Sequence, residues 1–287
     1  MKTILVTGAS SGIGRATVRR LDRAGWKVFA GVRREEDAAA LRAESSDRLE
    51  PLLLDVLDPA AIAAAAERIA AEPGGLDGLV PNAGSAFAGP LETLPLHLFR
   101  EQLELNLTAQ LAMIQAVMPS IRKARGRIVL ISSDGGRVAL PYTGAYHASK
   151  YGIEAIGDAL RQELAPWGIK VVLILPGAID TEIWTRGEVV ADKMYEESPL
   201  TRELYGSQTD KYREFIHKVA KDAISPDKVA ARIEVALTRR RPRARYMVGL
   251  DAHVVARLGP VIPPTIFDWV IAKTMGLPKP DADSQAP

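Results

Sequence analysis

Residues 3–14 read Thr-Ile-Leu-Val-Thr-Gly-Ala-Ser-Ser-Gly-Ile-Gly, and the reading of this stretch decides the fold. Thr3, Ile4, Leu5 and Val6 have the makeup of a short strand covered on both faces. A turn with Gly8, Gly12 and Gly14 follows, and from Ile13 the apolar positions take up helical spacing. Glycines between a strand and a helix let backbone approach an anion closely, and they aim the unpaired N–H groups of the first helical turn at it. Gly8, Ser10, Ser11, Gly12, Ile13 and Gly14 are therefore candidates for holding the pyrophosphate of a dinucleotide.

Outward from this turn, apolar runs alternate with longer helical patterns. The strand-like runs are KVFAGV, LEPLLLDV, GLDGLVPNAG, RIVLIS and KVVLIL. Between them the spacing predicts helices over Ile13–Ala24, Glu35–Ala43, Ala60–Ala71, one long helix over Leu96–Lys123, and Ala145–Trp167. Asp58-Pro59 reads as an N-cap followed by a first helical position. Strands this apolar need helices on both sides, so the expected fold is α/β with a doubly wound parallel sheet. After Pro176 the rhythm stops. Glu182–Asp227 reads as a polar, aromatic-dotted, mobile cover within a catalytic and cofactor-binding domain of residues 1–250. Residues 251–278 read as an extension packed on that domain, and the proline-rich residues 279–287 as a disordered tail.

The chain has 287 residues, 47% of them hydrophobic, enough for one large core. Basic and acidic residues number 37 and 35, and the net charge of +2 gives no field to recruit nucleic acid. With no cysteine, thiolate catalysis, disulfides and thiolate metal sites are excluded. No metal centre is expected. No apolar run reaches the roughly 18–20 residues of a membrane helix, and the N-terminus lacks the features of a signal peptide. A cytoplasmic location is the expectation.

Two further positions bear on chemistry. Arg33 and Arg34 follow the second strand, where an acid would grip the ribose 2′-hydroxyl of NAD. A guanidinium instead suits a 2′-phosphate, so NADP(H) is expected to be preferred, with NAD(H) possible. Tyr146 and Lys150 lie four apart at a helix start, so phenol and ammonium share one face. An ammonium beside the phenol is expected to lower its pKa toward the working range of a general acid/base. Ser133, at the end of the strand RIVLIS, reaches the crevice where such sheets bind ligands and can hold a substrate oxygen. His147 is expected to face away from the site.

Taken together, TGASSGIG, the NAG after Pro81, Asn106, ISS, YHASK and PG-x-I-x-T resemble the short-chain dehydrogenase/reductase family over roughly residues 1–181. The resemblance implies a Rossmann-type fold and hydride transfer between nicotinamide and a carbonyl or alcohol carbon. It implies catalytic roles for Ser133, Tyr146, Lys150 and Asn106, with Asn106 holding a water that links Lys150 to solvent and Lys150 also gripping the nicotinamide ribose. Asp55, with its neighbour Val56, would touch the adenine, and Asn82, Ala83 and Gly84 would border the ribose. Ile179 and Thr181, after Pro176 and Gly177, would hold the carboxamide. Pro81, where the family usually has asparagine, removes an N–H and with it a sheet contact. The C-terminal part resembles the retinol and hydroxysteroid dehydrogenase branch, which implies a small hydrophobic carbonyl or alcohol substrate; the family implies a homodimer or homotetramer. A 3-oxoacyl-thioester reductase and a non-catalytic NADP(H) sensor or scaffold stay open as alternatives.

Overall fold

The computed structural model describes residues 1–277, so the expected disordered tail at 279–287 lies outside the described residues. Seven strands form one all-parallel sheet: β1 (Thr3–Val6), β2 (Lys27–Val32), β3 (Leu49–Leu53), β4 (Gly78–Val80), β5 (Arg127–Ile131), β6 (Lys170–Pro176) and β7 (Arg245–Val248). Their spatial order is β3-β2-β1-β4-β5-β6-β7. The order reverses between β1 and β4, which opens a crevice at the carboxyl ends of those strands, where ligands bind in this architecture.

Successive strand residues point to opposite faces, and each face buries its own helices. Ile4, Val6, Val28, Ala30, Val129, Val172 and Ile174 pack on one side. They meet Val18 and Leu21 of α1 (Gly12–Arg23), Ala38 and Leu41 of α2 (Glu35–Glu44), and Val229, Ile233 and Leu237 of α9 (Pro226–Thr238). Leu5, Phe29, Leu79, Ile128, Leu130 and Leu173 pack on the other. Their partners are Ile62 and Ile69 of α3 (Pro59–Ala70), Met113, Ile114, Val117 and Ile121 of α5 (Ala109–Ala124), and Ile153 of α6 (Gly144–Glu163). Asp58 caps α3 as expected, accepting from the Ala60 N–H at 2.9 Å with Pro59 in the first turn. The last strand is fastened to α6 by Arg245, whose Nε donates to Glu154 at 2.8 Å and whose Nη2 donates to Asp158 at 2.7 Å.

Three expectations need correction. The single helix over 96–123 is divided: α4 (Leu96–Leu103) passes through a wider π turn at Glu104–Thr108 into α5. Glu182–Asp227 is not an irregular segment, because α7 (Ile183–Glu197) and α8 (Pro199–Lys221) fill most of it. On α8 the buried positions are Thr201, Thr209 and Tyr212, whereas Leu200 and Leu204 are exposed, so the helix carries no apolar stripe to read. Ser133 lies two residues beyond the end of β5 rather than in it. Next to Pro81, β4 pairs with β5 through only Gly78 and Leu79. Beyond β7, α10 (Leu250–Leu258) and α11 (Pro264–Met275) complete the described chain, with Met275 buried and Ile266 and Trp269 exposed. Among the described residues no helix is long and apolar enough to cross a membrane.

Leu79 sits fully buried in the central strand under α3 and α5. Leu79→Ala is expected to lower unfolding free energy by about 2–5 kcal/mol in a denaturant titration, and an unchanged midpoint would contradict this packing.

Candidate active site

The turn after β1 is shaped by backbone contact at van der Waals limits. Gly8 takes φ +63°, and a Cβ there would stand 2.9 Å from Ala83 Cα. A Cβ on Gly14 would stand 2.1 Å from the Gly8 carbonyl oxygen, so any side chain closes the turn on itself. The turn is held against the end of β4 by Thr7, whose Oγ1 accepts from the Asn82 and Ala83 N–H groups, each at 3.0 Å. Asn82 replies by donating Nδ2 to the carbonyls of Thr7 at 3.0 Å and Gly8 at 3.2 Å. Ser11, the N-cap of α1, makes no side-chain cap to the helix N–H groups, which leaves that end suited to an anion. A cradle that glycine alone can line and an uncapped helix end fit the diphosphate of a dinucleotide.

The other positions expected at this ligand are spread along the same edge. Thr181 lies against the turn, its Cγ2 2.9 Å from where a Gly12 Cβ would be. Gly177 donates to the Val248 carbonyl at 3.0 Å, and Ile179 is buried, bridged to Ile224. Val56 is buried; Asp55 accepts the Leu57 N–H at 3.0 Å and so braces its own turn. Arg33 and Arg34 are both exposed; Arg34 is forked onto Asp37 at 2.9 and 3.0 Å, and no described residue pairs with Arg33. A cavity of about 720 Å³ touches this site only at Gly12 and Thr181 and otherwise runs along α1 past Arg15 and Arg19, away from Ser133 and Tyr146.

A ladder of amides reaches the site from α4 and α5. Gln102 accepts from the Phe87 N–H at 2.7 Å and donates to the Ser85 carbonyl at 3.0 Å. Asn106, buried in the π turn, accepts from the Ser85 N–H at 3.0 Å and donates to the Ser85 carbonyl at 2.8 Å and Ser149 Oγ at 3.1 Å. Gln110 donates to the Ala83 carbonyl. The Asn106 side chain is thus engaged by protein groups, binding the segment after β4 to α6. Polar amides at every fourth position of an apolar helix were the available signal for Gln102 and Gln110.

At the chemical end, Tyr146 and Lys150 occupy the first two turns of α6. Ser133 is buried and shares a hydrogen bond with the Tyr146 phenol. The expected electrostatics are corrected here. Lys150 donates Nζ to the Ile131 carbonyl at 3.0 Å and lies 5.7 Å from the Tyr146 ring centre. Burial pushes the phenol up to about 12, outweighing the hydrogen bond from Ser133 that pulls it down, and Asp134 adds to the rise. Burial also draws the Lys150 ammonium down to about 8. His147 turns away, its Nδ1 2.8 Å from the Gly135 carbonyl, and burial lowers its pKa.

Two tyrosines not picked out as site residues adjoin Tyr146. Tyr142 holds φ +64°, a left-handed conformation rare for a bulky residue and typical of constrained sites. Its ring meets Tyr212 edge-on at 5.7 Å and Tyr205 at 6.4 Å, joining the start of α6 to α8. Tyr212 is buried, hydrogen-bonds Thr143 and has its pKa raised by burial. Phe87, Leu94, Leu98 and Met194 form an apolar cluster with Ala145, the residue before Tyr146.

Comparison with known proteins agrees with this geometry. The short chain dehydrogenase family profile matches residues 2–188. Bovine 17-beta-hydroxysteroid dehydrogenase type 6 is 35% identical, over 97% of this chain and 90% of that enzyme. Mouse retinol dehydrogenase 7 is 39% identical over 88% of this chain and 82% of its own length. Among solved structures, a short-chain dehydrogenase from Streptomyces avermitilis superposes with a TM-score of 0.74 at 30% identity, covering 96% of this chain and 95% of that one. One from Burkholderia cenocepacia, in complex with NADP, gives 0.73 at 25% identity, covering 94% and 99%.

The Lys150 shift predicts a pH effect on stability. Its folded pKa of about 8 lies below the ordinary 10.5, so between those values the unfolded chain binds more protons and stability rises with pH. The penalty of the buried ammonium is complete below about 8 and fades toward 10.5. Unfolding free energies of the parent and Lys150→Met, measured across that window, are expected to converge in the parent's favour; a constant gap would refute the burial.

Proposed function

From the premise that this chain belongs to the short chain dehydrogenase family and is an oxidoreductase acting on CH–OH groups, we propose that it prefers NADP(H) and interconverts a hydrophobic secondary or allylic alcohol and its carbonyl. The observation that carries the reading is the burial of Ser133, Tyr146 and Lys150 just past the carboxyl end of β5, on the sheet edge that also carries the glycine cradle after β1. When bound, the nicotinamide dinucleotide supplies or accepts the hydride. Tyr146 holds the proton that the substrate oxygen gains or loses, and a phenol raised by burial is an acid that keeps it until the oxygen becomes basic. Ser133 fixes that oxygen against the phenol. Lys150 is the cation nearest the phenol, and its lowered pKa lets it exchange a proton near neutrality.

Gly8, Ser10, Ser11, Gly12, Ile13 and Gly14 would hold the diphosphate through backbone N–H groups, with Asn82, Ala83 and Gly84 along the ribose and Ile179 and Thr181 at the carboxamide end. For the 2′-phosphate, Arg33 is the better placed of the two arginines, because Arg34 is already committed to Asp37. The substrate class is supported by the apolar cluster of Phe87, Leu94 and Met194 on Ala145, the residue before Tyr146, and by the Tyr142, Tyr205 and Tyr212 rings near the start of α6. The names of the retinol and hydroxysteroid dehydrogenase relatives point the same way.

With a panel of hydrophobic ketones, aldehydes and alcohols, turnover is expected to be faster with NADPH than with NADH, and Arg33→Ala to erase most of the difference; a preference for NADH overturns the cofactor assignment. Tyr146→Phe is expected to cut kcat by at least about 100-fold, the scale of general acid–base catalysis, while NADPH affinity measured by fluorescence stays near that of the parent. Near-normal turnover in that variant would remove the phenol from the mechanism.

A further inference from the structure

The Ser133 hydroxyl has one proton and two lone pairs, and more than one acceptor competes for the proton. The nearest acceptor is Asp134 Oδ1 at 2.8 Å, and the Pro176 carbonyl lies farther off at 3.5 Å. One lone pair accepts the Gly135 N–H at 3.0 Å, an N–H shared with Asp134 Oδ1 at 2.8 Å. The Tyr146 phenol oxygen is a further acceptor, and a bond from Ser133 favours its ionised form. A carboxylate is acceptor-only, so while Asp134 is ionised it competes with the phenol oxygen for the one Ser133 proton, and the 2.8 Å contact holds it on the Asp134 side. The Ser133 proton is then drawn away from the phenol and from a substrate oxygen.

We propose that Asp134 is a positioning residue that sets the direction of the Ser133 hydroxyl, and with it how readily Ser133 donates to a substrate oxygen. The inference deepens the reading of Ser133 and Tyr146 above and rests on it. With Asp134 ionised, the charge-assisted bond holds the serine proton, and a substrate carbonyl must compete for it. With Asp134 protonated, the acceptor is neutral and weaker, and Ser133 is free to donate to the carbonyl oxygen. Ionised Asp134 therefore slows carbonyl reduction. Oxidation passes through the same transition state, so it is slowed by the same factor.

The surroundings favour a carboxyl that titrates above its ordinary range. Asp134 is partly buried, which raises its pKa, and Asp251 on α10 adds like charge; the Ser133 and Gly135 hydrogen bonds oppose both. Asp251 is itself fixed there, accepting the Ala178 N–H at 2.7 Å. From α6 the facing titratable groups are Tyr146 and His147, with Lys150 turned to the Ile131 carbonyl; on its own turn, Arg137 follows.

Two measurements on the full chain test the proposal. Carboxyl carbon NMR of the cofactor-free protein, with Asp134 assigned from the signal lost in Asp134→Asn, reads its titration without any turnover. Ser133→Ala removes a donor to the charged form and is expected to raise that midpoint; a midpoint indifferent to Ser133→Ala overturns the proposal. In NADPH-driven reduction of the best carbonyl of the panel, Asp134→Asn is expected to increase kcat/KM roughly fivefold above the Asp134 midpoint, the difference between a charged and a neutral acceptor, with no gain below it. In a Ser133→Ala background most of the gain is expected to vanish. An equal gain in both backgrounds, or a pH-independent loss in Asp134→Asn, assigns Asp134 to local structure instead. If the parent turns over nothing, the functional reading fails, and the NMR arm still decides this one.

Discussion

Desolvation of Tyr146 and Lys150 on one face of α6 is the constraint around which the site is organised. Among the described residues neither group has an opposite charge in contact, so burial moves the phenol up and the ammonium down. The two shifts have one origin, since withdrawing water penalises whichever form carries charge. The neutral forms are thereby brought nearer to use, and the proton becomes something the site can pass along rather than hold as a fixed ion pair. The sheet makes this possible. The Ile131 carbonyl at the end of β5 takes the ammonium, and the turn that follows presents Ser133 to the phenol.

Around that pair, the polar groups are arranged as a scaffold of backbone ties. Thr7 and Asn82 join the glycine turn to the end of β4, and Gln102, Asn106 and Gln110 join the next few residues to α4 and α5. The segment 82–87 has almost no sheet partner of its own, so side-chain amides satisfy its backbone. The π turn is part of this arrangement, because its extra residue per turn swings Asn106 inward between Ser85 and Ser149.

Local spacing made much of this legible. The glycine pattern, the Asp58-Pro59 helix start and the four-residue separation of Tyr146 and Lys150 are each decided by neighbours in the chain, and the alternating apolar runs carry the sheet. What sequence could not carry is whatever depends on a distant partner. The four-residue spacing puts phenol and ammonium on one face but does not reveal how dry that face is, so the expected direction of the Tyr146 shift was reversed. The helix α8 stayed hidden because its buried positions are threonines and a tyrosine, and its leucines face solvent. Asp134 stood next to Ser133 in plain view, yet only coordinates reveal that it takes the serine's proton.

The tie between Arg245 and α6 bears on how the chain matures. Glu154 is buried, and its guanidinium partner lies 91 residues downstream. At roughly 5–20 residues per second of synthesis, the interval between the two is about 5–18 s. During that time the helix bearing the catalytic tyrosine holds a carboxylate that has no counter-ion, so it cannot seat fully in the nascent chain. The edge strand thus serves as a clasp, and the partner that neutralises Glu154 is among the last parts of the sheet to be made.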